Sequence, residues 1–305
     1  MKPEDGGWFG SRWELTAPES YALLYGQKGE GSQIFKLALL ELVARGWLEL
    51  DEIEERGTLL DRTRKIAVLR YGSEGRGSGG PPLDAVLELF ETHESWASEG
   101  EGSGLVPVSA LAQAARSRYG SFKNYVEVEV MPALAGRGLY RPQERRILGL
   151  FKVSCWEITR AGEAARAALE GSRSLGREQF HSWVDSDPAR ALAFLGLAGS
   201  SVLLMEELHP DIRRIREREY GGEVAVHGGM VGPHGAGPEI DENMSEDAAG
   251  DSSGELDAPA FDVGAFDFDL GAFDGLDAAL SSIDSGVGDA GGGWGGDGGG
   301  GGGGG

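Results

Sequence analysis

Apolar positions recur along the first 220 residues with two different periods, and the switches between them mark the elements. Residues 17–26, "APESYALLYG", carry the 3.6-residue spacing of a short helix, opened by Ala17-Pro18 and closed by Gly26. Residues 33–46, "QIFKLALLELVARG", are apolar almost all round; they predict a helix with Ser32 as its cap and Gly46 just past its end. Only Gln33, Lys36, Glu41 and Arg45 stand out there as candidates for exposure. Alternation then replaces helical spacing at Trp47–Ile53, and a second strand is expected at 65–71. Helix, turn, helix and hairpin is the element order of a winged-helix domain.

The order recurs. An amphipathic helix is expected over 82–96, a second over 108–120, and a third over 121–138 that starts at Ser121 and is kinked or broken by Pro132. Residues 139–160 read as a hairpin whose second strand is rich in β-branched and aromatic residues, and an Ala-rich helix follows, capped by Thr159. Beyond it, "GREQFHSWV" and "DPARALAFLGLAG" predict two helices, the latter capped at Asp187 with Pro188 in its first turn. A final helical stretch is expected to break near Pro210.

The expected fold is mainly α with small β-hairpins (α+β): tandem winged-helix-like units at 13–72 and 82–172, joined by a linker at 73–81, then a helical segment at 176–220 and a disordered acidic Gly-rich tail at 221–305.

Charge sharpens that division. The chain has a formal net charge of -22, of which residues 221–305 supply 17 acidic groups with no Lys or Arg. Sparse apolar content and high charge cannot offset the entropy of ordering, so the tail is expected to be disordered. One part of it differs. Ala-Phe-Asp occurs at 260–262, 265–267 and 272–274, and Phe273, Leu276, Leu280 and Ile283 fall at helical spacing. A helix that short is marginal alone and forms against a partner or against the protein's own body. Phe261, Phe266, Phe268, Phe273, Leu276 and Leu280 are the candidate anchors. Arg213, Arg214, Arg216 and Arg218, just before the tail, are the candidate site for its intramolecular docking.

The words "APES", "ALLELVARGWLEL" and "MPALAGRGLYRP", followed by a Ser/Gly stretch running into polyglycine, resemble the cytosolic region of a bacterial family of predicted membrane proteins of unknown function (YciQ-like). The resemblance covers most of 15–175 and about 270–305. It implies the tandem wings and the glycine-rich ending. No stretch here corresponds to that family's exported domain or membrane helices, so neither an anchor nor a catalytic residue is implied.

The chemistry-bearing motifs fail on their spacing. "GQKGEGS" lacks the lysine that a phosphate loop places before its Ser/Thr; Gly31 stands there. His227 and His234 have no third His or Cys beside them, and Glu246 occupies the glycine position of a calcium loop. Cys155, the single cysteine, reads as a core residue and fits a reducing compartment. No catalytic, cofactor or metal residue is expected. The longest apolar run, 191–205, is shorter than the roughly 20 residues of a membrane span, and a cytoplasmic location is expected. Nucleic acid would be met by Arg62, Arg64 and Lys65 in the first wing, Lys123, and Arg141, Arg145 and Arg146 in the second. The expected function is a non-enzymatic cytoplasmic protein-interaction module whose partner is a protein; the alternative is a DNA-binding regulator with an autoinhibitory acidic tail.

Overall fold

The computed structural model describes residues 14–26, 29–56, 63–72, 77–99, 104–147 and 151–219, together with Leu276 and Leu280. The described chain is mainly helical, with two small antiparallel sheets.

Helix α1 (Ala17–Tyr25) begins in a capping box: the Thr16 hydroxyl accepts from the Glu19 N–H while the Glu19 carboxylate accepts from the Thr16 N–H. Gly26, at φ 63°, ends it. Helix α2 (Gly31–Ala44) starts two residues before the expected position. Glu30, and not Ser32, stands at its N-cap, and no side chain bonds there. The early start needs Gly31, because a Cβ at this position would lie 2.7 Å from the backbone of Phe122. Strands β1 (Leu48–Arg56) and β2 (Thr63–Tyr71) form the first hairpin, in register from Leu48↔Tyr71 to Arg56↔Thr63 and longer than the alternation implied. A two-residue strand, β3 (Val106–Pro107), adds to the outer edge of β2. It is too short to have a period, so the sequence did not announce it.

Helix α3 (Pro81–Glu99) leads through β3 to α4 (Val108–Tyr119), which Gly120 ends as expected. The next helix is interrupted, and the reason is Pro132. Ser121 caps α5 (Phe122–Tyr125), a π-turn fills Val126–Val130, and α6 (Met131–Gly136) completes it. In the π-turn the Met131 N–H reaches back five residues to the Val126 carbonyl. That wider turn makes room for a proline ring that would clash with a carbonyl four residues earlier. The chain is therefore not broken at Pro132 but widened before it.

Strands β4 (Tyr140–Ile147) and β5 (Phe151–Ile158) form the second hairpin. Thr159 then caps α7 (Arg160–Ser186) through the Gly162 N–H. This single 27-residue helix replaces the two expected separately, and it runs through the 172–176 boundary. Gly176 sits where α8 crosses; a Cβ there would lie 2.8 Å from the Phe194 ring. Close helix packing explains this glycine. Helix α8 (Pro188–Ala198) is capped by Asp187 as expected. The following chain is not α-helix: Gly199–Leu204 and Glu206–Leu208 are 3₁₀ turns meeting at Met205. Helix α9 (His209–Glu219) holds Pro210 as its second residue, so the proline starts a helix and does not end one.

One buried apolar cluster includes residues from Ala17 to Ile215, with Leu276 and Leu280. Phe35 of α2 sits at its centre, 5.0 Å from the Phe122 ring and 5.5 Å edge-on from that of Tyr125. The Tyr125 hydroxyl donates to the Pro82 carbonyl at 2.8 Å, joining α5 to the start of α3.

Candidate functional site

Helix α2, which precedes the first hairpin, is buried along most of its length. Lys36 and Glu41, two of its four candidates for exposure, are 5% and 0% exposed. Glu41 is an internal anchor. One carboxylate oxygen accepts from the Ala17 N–H at 2.6 Å; the other accepts from the Ser200 hydroxyl at 2.7 Å and the Arg45 guanidinium at 2.6 Å. The start of α1, helix α2 and the first 3₁₀ turn are thereby fixed to one group. Burial pushes the Glu41 carboxyl above its usual range, with Arg45, Ser200 and the Ala17 amide opposing.

The interrupted helix before the second hairpin, Phe122–Gly136, also uses several of its polar groups internally. Glu127 accepts from the Trp156 indole at 2.7 Å, Glu129 from the Tyr119 hydroxyl at 2.8 Å, and Asn124 donates to the Tyr119 carbonyl. Tyr125 is fully buried. Burial, then the hydrogen bond to Glu129, raises the Tyr119 phenol well above its ordinary value. Of this helix's expected nucleic-acid contacts, Lys123 stands exposed.

Two of the candidate hairpin cations pair with carboxylates. Lys65 pairs with Glu52 at 3.0 Å, and Arg141 donates to Glu157 at 2.7 Å across its own hairpin. Arg64, Arg145 and Arg146 are placed as strand positions opposite Glu55, Val153 and Lys152, while Arg62 lies outside the described residues. In α9, Arg214 and Arg218 both reach Asp185 of α7, and Arg218 also donates to the Val184 carbonyl at 3.0 Å. Two of the four proposed docking arginines thus hold the end of α7. Arg213 is exposed, and Arg216 is placed in α9 by its backbone.

Of the six tail anchors, Leu276 and Leu280 are described. Both are helical, 1% and 4% exposed, and part of the main apolar cluster. Phe261, Phe266, Phe268 and Phe273 lie outside the described residues, as do His227 and His234.

A cleft of about 220 Å³ opens between α1, α2, α7 and the two 3₁₀ turns. Tyr21, Tyr25, Gln33, Leu37, Arg173 and Leu203 form much of its wall, with Leu204, Glu206 and Glu207 completing it. The two tyrosine rings lie 4.5 Å apart. Arg173 donates to the Tyr25 hydroxyl at 3.0 Å and to the Leu204 carbonyl at 3.4 Å. Glu207 is held by Arg177 at 2.8 Å, and its carboxyl lies below the usual range: its own backbone N–H and the two arginines outweigh desolvation, which acts the other way. Burial raises the Tyr21 phenol, with Tyr25 and Glu30 adding to the shift. Sequence reasoning missed this cleft, since it gathers residues from positions 21 to 207 and no local motif marks it.

Cys155 is half-buried and donates to the Gln143 carbonyl at 3.4 Å. Among the described residues no cluster of three His, Cys, Asp or Glu side chains has metal-ligand proximity, and no helix is long and apolar enough to cross a membrane. No protein-family model matches the chain, and no curated protein matches it in sequence.

Proposed function

We propose that the protein is a non-enzymatic, cytoplasmic protein-interaction module: tandem winged-helix units form a body that receives short amphipathic segments, and the acidic Phe/Asp tail supplies such a segment. The burial of Leu276 and Leu280 carries this reading. These leucines lie one helical turn apart, in a segment flanked by Asp274, Asp277 and Asp284. Burying two leucines is worth up to about 3–6 kcal/mol before ordering is subtracted. This is the usual energetic basis of a helix seated in a groove, with apolar anchors at i and i+4. Element order supports the winged-helix units: each hairpin follows a helical pair or triplet.

Nucleic-acid binding has less support. The described wing cations Lys65 and Arg141 already face carboxylates. Glu41, Glu127 and Glu129 of the helices before the hairpins bond to the molecule's own groups, leaving Lys123 as an exposed cation there. Phosphate binding needs several cations available at once.

The reading is tested by cross-linked capture from lysate with the full chain and with its Leu276→Asp/Leu280→Asp variant, alongside a low-salt mobility shift on duplex DNA. Partners whose recovery changes with the two leucines, and no shift of DNA, are expected. An identical partner set for both chains would overturn it, and a salt-sensitive DNA shift would transfer the assignment to a regulator.

A further inference from the structure

We propose that the Tyr21/Tyr25/Arg173 cleft is a binding site for a carboxylate borne next to an aromatic or apolar group, the chemistry of an Ala-Phe-Asp peptide.

One donor of the cleft is left without an acceptor. The Arg173 Nε–H is buried and has no hydrogen-bond partner. Among the described residues the guanidinium bonds to the Tyr25 hydroxyl and the Leu204 carbonyl, neither of them a carboxylate. Because the Tyr25 oxygen accepts from Arg173, its own O–H is left to donate. Leaving a buried donor unmade is costly, and a charged donor more so. A carboxylate answers this geometry: its two oxygens take the guanidinium edge and a phenol together. Leu37 and Leu203, beside the tyrosine rings, provide apolar wall for the group that carries it.

Two carboxylates also line the cleft and must be weighed. Glu207 pairs with Arg177 at 2.8 Å and also lies in the field of Arg173, so it competes in part with an incoming anion. Glu206 is exposed at the rim and opposes an anion there, though water screens it. It also offers an acceptor to a ligand's backbone N–H, which favours a peptide over a simple carboxylate.

The chain itself carries this chemistry three times, at 260–262, 265–267 and 272–274, and the last repeat ends two residues before the buried Leu276. The tail is therefore one source of the ligand and an external peptide the other. Only the choice of the tail as source leans on the interaction-module reading; the site itself rests on the cleft.

The test is titration of acetyl-Ala-Phe-Asp-Phe-Asp-Leu-amide into the full chain, followed by Tyr fluorescence and chemical-shift changes. Arg173→Met should weaken binding about tenfold or more, the size of one charge-assisted hydrogen bond. Arg173→Lys should recover part of the loss, and Glu206→Gln should tighten binding about two- to threefold. The peptide with Asn in place of Asp should bind as weakly as the Arg173→Met chain does. A full chain with Asp262, Asp267, Asp269 and Asp274 changed to Asn should bind more tightly if its tail occupies the site in cis. Unchanged affinity in that chain would assign the site to external peptides. No saturable binding to either full chain, or binding indifferent to Arg173, would overturn the proposal. If Arg173-dependent binding is found while the leucine variant captures the same partners as the wild type, the site stands and the module reading fails.

Discussion

The helices that precede the two hairpins stand at equivalent points in the element order and solve different problems. Helix α2 is one uninterrupted α-helix, mostly apolar, and buries a glutamate that ties it to α1 and to Ser200. The α5–π–α6 helix is widened at its middle and keeps Val128 exposed while Glu127 and Glu129 bond to the aromatic residues beside them. Element order alone therefore does not say which helix is free to read a partner. Contact does: both are held by the molecule's own groups, one through its core and one through its acidic face.

The largest test of the contrast is Glu41→Ala. It leaves the Ala17 N–H, the Ser200 hydroxyl and the Arg45 guanidinium without their acceptor, and should cost about 3–5 kcal/mol in denaturant unfolding. Glu41→Gln sharpens the point through pH. Burial raises the folded-state pKa of Glu41, so the folded protein holds this proton more tightly than the unfolded chain does. The stability it contributes is complete below the unfolded value and is lost as pH rises through the folded value. Wild type should thus lose stability relative to Glu41→Gln as pH climbs above 4.5, and a constant difference would contradict the assignment.

An intermediate effect is expected where α5 meets the start of α3. Tyr125→Phe removes the hydrogen bond to Pro82 but keeps the ring against Phe35, for a loss of about 1–2 kcal/mol. The smallest effect belongs to the π-turn. Pro132→Ala restores an N–H and removes the ring that the wide turn accommodates, so stability should change by no more than about 1 kcal/mol. A loss beyond about 3 kcal/mol would mean that the π-turn is held by something other than the proline.

What the sequence made legible was local. Gly26, Gly120, Thr159 and the Asp187-Pro188 pair end or start helices where their chemistry predicts. The expected boundary at 172–176 falls inside α7, where Gly176 serves the approach of the Phe194 ring. A break is expected near Pro210, and a boundary does fall between Leu208 and His209, with the proline in the first turn of the new helix. The inward Lys36 and Glu41 were not legible: polar residues on an apolar helix are assigned to the surface by default, and Glu41's partners lie 24 and 159 residues away. Of the tail, the spacing of Leu276 and Leu280 was legible, and their place inside the apolar cluster required the fold.

The central claim is that the body receives an amphipathic segment of the kind its own tail contains. A labelled peptide spanning residues 270–285, titrated against the full chain and against its Leu276→Asp/Leu280→Asp variant, tests it most directly. A tethered segment competes at high effective concentration. The variant, its own segment disabled, should therefore bind the peptide at least about tenfold more tightly than the wild type. Equal affinity for both chains, or no binding to either, would contradict the account.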